Sequence, residues 1–232
     1  MNEYKKFGYY YDEVMQQINY DLWLEFIEPY LKKNDKVLDL ACGTATLVTM
    51  LKLKGYDAKG LDLSETILEI AKEKMKINHL NFDLYHMDMT NFKIDDKFDM
   101  ITCFFDSINF LNKKENIKKL FNSVYNHLSD NGYFIFDIFS KEMLKEYENN
   151  ETIEDYETFK LNWITKKTTP TSLKHTIKIT EGDEVITETY NEYYYDIKDV
   201  LDKRFKLIKI CGDFNDDLQD EDERILIVLQ KQ

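Results

Sequence analysis

Asp39, Asp62 and Asp88 each close a short apolar run in the first half of this 232-residue chain, in KVLDL, YDAKGLDL and NFDLYHMD. Such runs read as buried strands, and in an open α/β sheet ligands bind beyond the carboxyl ends of the strands. The three acids therefore point to a single site. Gly43 follows the first of them in the turn DLACGTA, where a residue without Cβ lets the backbone approach a ligand. Asp62 stands 19 positions after Gly43, where a carboxylate can accept hydrogen bonds from both hydroxyls of a ribose. Asp88 can hold the exocyclic amino group of an adenine while Met89 covers the ring. Together these residues suit a nucleoside. A dinucleotide fits less well: the ribose acid is present, but the turn carries Ala45 instead of a second glycine, and G-x-G-x-x-G is absent. A pyrophosphate needs that close backbone approach at a helix start.

The elements that position these residues alternate between strand and helix from residue 36 to about 140, the signature of a parallel sheet wrapped by helices. A helix from Thr46 to Lys54 ends at Gly55, and Ser64 opens a second, TILEIAKEKMK, with Ile67, Leu68, Ala71 and Met75 on one face. KFDMITCFF is a fourth strand. NKKENIKKLFNSVYNHL is a helix, and after a turn at Asp130-Asn131-Gly132 comes the fifth strand, YFIFDIF. The period then changes. FKLNWITKK, SLKHTIKIT and VITETYNEYYY are β-rich, with a hairpin signal at Glu181-Gly182-Asp183-Glu184. Lacking crossover helices, they cannot extend a parallel sheet and are expected to form a small separate one. IKDVLDKRF reads as helix, KLIKICGDF and RILIVLQKQ as an antiparallel final pair, and YYYDEVMQQI and YDLWLEFIEPYLKK as two N-terminal helices. The expected fold is α/β, a Rossmann-like seven-stranded sheet with an antiparallel last strand. Residues 1–140 and 197–232 form the core, and residues 141–196 an inserted antiparallel sub-domain over the acceptor side.

A net charge of -13, with the acidic loop GDFNDDLQDEDE near the end, disfavours nucleic acid as a partner. No apolar run approaches the roughly 20 residues of a membrane span, and MNEYKKFGYY lacks the apolar core of a signal peptide. A cytoplasmic protein is expected. Cys42, Cys103 and Cys211 are too dispersed for a zinc pattern and suit reduced thiols, and the four histidines show no ligand spacing. No metal is expected.

In order and spacing, the three strand ends resemble the cofactor site of the class I S-adenosylmethionine-dependent methyltransferases over residues 36–140. FGYYYDEVMQQINYDLW, DLACGTA, ITCFFDSINFL and the β-rich insertion together resemble a group of small bacterial methyltransferases related to sugar-amine N-methyltransferases. The resemblance implies S-adenosylmethionine as cofactor and a small-molecule acceptor. It puts Asp39 and the backbone of Ala41, Cys42 and Gly43 around the methionine part, Asp62 on the ribose, Leu63 on the adenine, and Asp88 and Met89 at the base. It places the backbone near Cys103 and Phe104 along the amino and sulfonium region, with Tyr11 and Trp23 closing the pocket. The family more often has glycine at position 45, so the Ala45 methyl is expected to press on the methionine end. Asp106 lies where acceptors are held in the family, to bind or deprotonate an amine or hydroxyl; alternatively it caps the short helix from Ser107. The paired-proline signature of glutamine, adenine and cytosine methylation is absent. The aromatic insertion serves either as a cover for the acceptor or as a dimer interface, leaving monomer and homodimer open. Competing readings are an inactive S-adenosylmethionine-binding regulatory protein and a nicotinamide-dependent dehydrogenase.

Overall fold

The computed structural model describes residues 6–232; the first five residues of the expected core range lie outside the described residues. The chain enters through a 3-10 turn (Lys6–Tyr10), a single helical turn α1 (Tyr11–Val14), a second 3-10 turn (Met15–Gln17) and α2 (Asp21–Ile27). The first of the two expected N-terminal helices is thus broken. No side chain caps α1, and Ile18 is extended. Tyr10 instead packs against Phe159, a tertiary contact that competes with helical continuity.

The alternating segment follows as β1 (Lys36–Leu40), α3 (Thr46–Leu53), β2 (Asp57–Asp62), α4 (Glu65–Ile77), β3 (Leu84–His86), β4 (Phe98–Cys103), α5 (Lys114–His127) and β5 (Leu128–Phe139). Ser64 caps α4, accepting the Ile67 N–H, and Ile67, Leu68 and Ala71 bury the face the spacing predicts. The expected turn at Asp130–Gly132 lies inside β5; Asn131 supplies a left-handed residue there, and the pairing with β4 slips its register between Phe98 and Met100.

Next come α6 (Lys141–Glu146) and the four strands β6 (Asn149–Asp155), β7 (Lys160–Thr169), β8 (Ser172–Glu181) and β9 (Glu184–Tyr193). They pair antiparallel in that order as a separate sheet. Glu181 pairs with Glu184, so the β8–β9 hairpin turns on Gly182 and Asp183. β6 escapes sequence reading because NNETIED is an exposed edge strand with no apolar alternation. Where IKDVLDKRF reads as helix, there is one 3-10 turn (Ile197–Val200). Leu201 is extended, and Asp202 accepts the Arg204 N–H at 3.0 Å, an Asx turn that ends helical pairing. β10 (Phe205–Gly212) and β11 (Arg224–Lys231) complete the chain.

The main sheet has the order β10-β11-β5-β4-β1-β2-β3. β1 pairs in parallel with both β2 and β4, and β11 runs antiparallel to both β5 and β10. The order reverses between β1 and β4, and the crevice beyond their carboxyl ends is the natural ligand site. Ile117, Leu120, Phe121 and Val124 of α5 pack one face of the sheet, and α2, α3 and α4 cover the other.

Candidate functional site

The turn after β1 alternates in handedness: Ala41 (φ 52°), Gly43 (φ 57°) and Ala45 (φ 60°) are left-handed. For an alanine this region costs about 1–2 kcal/mol, and local hydrogen bonds offset it. The Cys42 N–H donates to the Leu61 carbonyl at 3.0 Å, and the Ala45 N–H to the Cys42 carbonyl at 2.9 Å. Gly43 owes its identity to this backbone angle, since an added Cβ would meet nothing nearer than Tyr11 Cε1 at 3.9 Å. The expected pressure of the Ala45 methyl on a ligand is not found. That side chain is 1% exposed, packs into the core and does not line the cavity.

Two carboxylates face the cavity that this turn encloses. Asp39 at the end of β1 is 5% exposed and accepts the Thr102 hydroxyl at 2.7 Å. Burial raises its carboxyl to about 7, against the pull of the Thr102 bond and with the charges of Asp62 and Asp137 adding to the rise. Asp62 at the end of β2 accepts the Gly43 N–H at 2.9 Å on Oδ2 and the Ser64 N–H at 2.8 Å on Oδ1. It therefore braces the glycine turn from the neighbouring strand. Burial raises its pKa, and the backbone bonds from Ser64 and Gly43 oppose that rise. The remaining walls are mainly apolar, and no lysine, arginine or histidine among the described residues lines the cavity. Two acids and no cation suit a positively charged ligand with polar hydroxyls, and repel a pyrophosphate.

Nine of the predicted residues line this one cavity: Tyr11, Asp39, Ala41, Cys42, Gly43, Asp62, Leu63, Met89 and Phe104. Trp23, Asp88, Cys103 and Asp106 do not. Trp23 stacks on Phe105 at 4.4 Å, and its indole N–H donates to Asp137 at 3.0 Å, so Phe105 rather than Trp23 forms the wall. Asp88 turns one oxygen to Thr90, accepting its N–H and its hydroxyl, both at 2.7 Å. The Cys103 thiol is buried against the Met89 thioether at 3.9 Å. Asp106 lies between two wall residues, Phe105 and Ser107.

Around Asp106 the structure assembles a cluster that sequence reading misses. Phe105 (φ 57°) and Asp106 (φ 54°) are consecutive left-handed residues, and the buried Asp137 of β5 holds both, accepting the Phe105 N–H at 3.2 Å and the Asp106 N–H at 2.7 Å. Arg224 of β11 bridges the two acids, pairing with Asp106 and, at 3.0 Å, with Asp137. Asp106 makes no side-chain cap to the 3-10 turn Ser107–Phe110, so the capping role does not apply. Burial raises its carboxyl to about 7 despite Arg224. Two signals pointed this way: Asp137 is an acid within the apolar run YFIFDIF, and Arg224 is one of only two arginines among 31 basic residues. A planar guanidinium bridges two carboxylates in a way that an ammonium does not.

The N-terminal segment closes the opposite side. Asp12 accepts the Thr44 hydroxyl at 2.5 Å and pairs with Lys74 at 2.9 Å, while the Lys74 ammonium also donates to Thr44 at 3.1 Å and Thr46 at 2.9 Å. This knot ties α1 and α4 to the glycine turn and holds Tyr11 over Gly43. Tyr20, also in the wall, stacks obliquely on Phe105 at 5.0 Å.

A methyltransferase-domain family model matches residues 37–132. The chain is 27% identical to a candidate methyltransferase of Geobacillus sp. strain WCH70 over 98% of its own length and 99% of the relative's. Among solved structures it is similar to a S-adenosylmethionine-dependent methyltransferase from Clostridium acetobutylicum, with a TM-score of 0.85, 28% identity and coverage of 97% and 98% of the two chains. The sugar N-methyltransferase KedS8 from Streptoalloteichus shares the fold, with a TM-score of 0.76 at 14% identity, over 100% of this chain and 95% of its own. With the strand order, the acid-lined crevice and these likenesses in agreement, the findings support a class I S-adenosylmethionine-dependent methyltransferase.

Proposed function

We propose that this methyltransferase acts on a small molecule with an amine or hydroxyl acceptor, and that the cavity behind Gly43 holds its cofactor. The observation that carries the reading is the charge of the walls: Asp39 and Asp62, with no cationic side chain among the described residues. That donor set fits S-adenosylmethionine, which has a sulfonium, an ammonium and two ribose hydroxyls and lacks phosphate. When bound, the cofactor supplies a methyl group on an already activated leaving group. The chain's own task is then chiefly alignment, which can be worth about 7–11 kcal/mol.

Asp39 is assigned to the cationic methionine end, Asp62 to the ribose, Leu63 and Met89 to the adenine, and Tyr11, Phe104 and Phe105 to the exclusion of water. Asp88, which does not line the cavity, is assigned to the base through the oxygen not engaged with Thr90. Asp106 is assigned to the acceptor, as a group that binds it or takes its proton. Its raised pKa suits a base near neutral pH, an effect typically worth about two to four orders of magnitude in rate. The 141–196 segment is assigned the role of a sub-domain over the acceptor side. Support comes from Phe110, which belongs both to the cavity wall and to the cluster beneath the small sheet, and from Glu188 of β9, which accepts the Lys6 and Phe7 N–H groups.

Among the described residues no helix is long and apolar enough to cross a membrane. A cytoplasmic site of action belongs to the same reading. It is tested by calorimetric titration: S-adenosylmethionine and S-adenosylhomocysteine are expected to bind and NAD is not, and tight NAD binding would overturn it. A screen of metabolite pools with methyl-labelled cofactor then identifies the acceptor by the mass of the labelled product.

A further inference from the structure

The inner face of the small sheet carries a buried polar cluster that the reading above does not use. Thr165 of β7 pairs with His175 of β8, and Leu173, two residues from His175, pairs with Glu192 of β9, so Thr165, His175 and Glu192 share one face. His175 is 7% exposed and Glu192 8%. The Trp163 indole N–H donates to His175 Nδ1 at 3.1 Å, and the Thr165 hydroxyl reaches the same nitrogen at 3.0 Å. An indole N–H can only donate, so Nδ1 carries no proton and the ring's proton sits on Nε2. From there it is donated to Glu192 Oε2 at 3.1 Å. The imidazole thus acts as a fixed donor that holds the carboxylate in place. Glu192 Oε1 accepts no hydrogen bond among the described residues and is not among the fully buried atoms, so one carboxylate oxygen stays open to a ligand.

The backbone beside this group is tied to the wall of the cavity. Tyr193, the next residue, accepts the Asn109 side-chain N–H on its carbonyl at 2.9 Å. Asn109 belongs to the 3-10 turn that begins immediately after Asp106, and Ser107 and Phe110 of that turn line the cavity. Arg224 is already committed between Asp106 and Asp137. A ligand group held between Asp106 and Glu192 would meet two carboxyl groups, with Arg224 engaged elsewhere. An ammonium offers three N–H donors and a positive charge there, an alcohol one donor and no charge. The Glu192 charge is among the influences that raise the Asp106 carboxyl, in keeping with their nearness.

We propose that Glu192, held by His175 on the inner face of the small sheet, is an acceptor-recognition residue that selects an amine in its ammonium form over a hydroxyl compound. This rests on the methyl-transfer reading and narrows its acceptor class. The test uses the full chain with and without S-adenosylhomocysteine and two probes of like shape, cyclohexylammonium and cyclohexanol. Binding is followed by titration and by the NMR signal of the Trp163 indole N–H. Cyclohexylammonium is expected to bind at least tenfold tighter than cyclohexanol and to move the Trp163 signal. Glu192→Gln, which retains an oxygen for the His175 N–H, is expected to remove that preference while leaving S-adenosylhomocysteine affinity within about twofold. If that variant does not fold, Glu192→Asp, with its charge withdrawn by one methylene, is expected to weaken the preference. Equal affinity for the two probes, or a preference untouched in the folded variant, overturns the proposal. Failure to bind S-adenosylhomocysteine would instead sink the cofactor reading, and the probe titrations on the unloaded protein would still decide this one.

Discussion

Replacing Asp39 with asparagine is expected to make the cofactor-free protein more stable and the cofactor weaker, with a stability gain that depends on pH. The Asp39 carboxyl is raised to about 7 by burial, whereas in the unfolded chain it titrates near 3.9. Because the folded value is the higher one, the stability associated with this group is fully present below about pH 4 and is lost as pH rises through about 7. Asparagine keeps an oxygen for the Thr102 hydroxyl and never ionises. The variant should therefore exceed the parent by about 1–2 kcal/mol at pH 5 and by about 4 kcal/mol at pH 8. For a domain of this size each kcal/mol is worth about 2–4 °C. Thermal melts at the two pH values should show the gap widening by about 5–10 °C. In parallel, loss of a charge-assisted contact, worth about 1.5–3 kcal/mol, should weaken S-adenosylmethionine binding about tenfold to a hundredfold by calorimetry. A gap equal at both pH values, or an asparagine variant less stable at pH 8, would refute the assignment of a costly buried charge. Unchanged cofactor affinity would remove Asp39 from the cofactor site.

Asp62→Ala removes both the acceptor for the ribose hydroxyls and the brace on the Gly43 and Ser64 N–H groups. A loss of S-adenosylhomocysteine affinity of at least a hundredfold is expected by titration, and an unchanged value would rule out its role. Asp106→Asn is expected to slow transfer to the labelled acceptor by about two orders of magnitude or more with cofactor affinity nearly intact; equal loss of both would make it structural. Lys74→Met unties Asp12 from Thr44 and Thr46 at a partly exposed site, where such pairs are worth up to about 1 kcal/mol. About a fivefold faster release of S-adenosylhomocysteine is expected in stopped-flow measurements, and an unaltered rate would show that the N-terminal segment does not hold the cofactor.

The alternating elements, their antiparallel closing pair and the acid-and-glycine set at the strand ends were legible along the chain because each rests on local information. Period, turn chemistry and short spacing decide Asp39, Gly43 and Asp62. The breakdown of the first N-terminal helix and the reduction of IKDVLDKRF to one 3-10 turn were not legible, since a side chain distant in sequence and an Asx turn outweigh helical propensity there. Edge strand β6 lacks any buried face to print a pattern on its sequence.

The same division runs through the site. The sequence alone determined that the turn after the first strand lacks the glycines of a phosphate loop and is flanked by acids within one β-α-β unit, and its resemblance to the class I methyltransferases implied a sulfonium cofactor there. Only the tertiary structure decided that the Ala45 methyl faces the core, that Trp23 stands behind Phe105, and that Arg224 couples Asp106 to Asp137. It also decided that His175 holds one oxygen of Glu192 within the small sheet. Arg224 lies 118 positions from Asp106, and no local period or spacing encodes such a pairing. It arises when β11 inserts antiparallel beside β5, and burial then gives the assembled charges their strength.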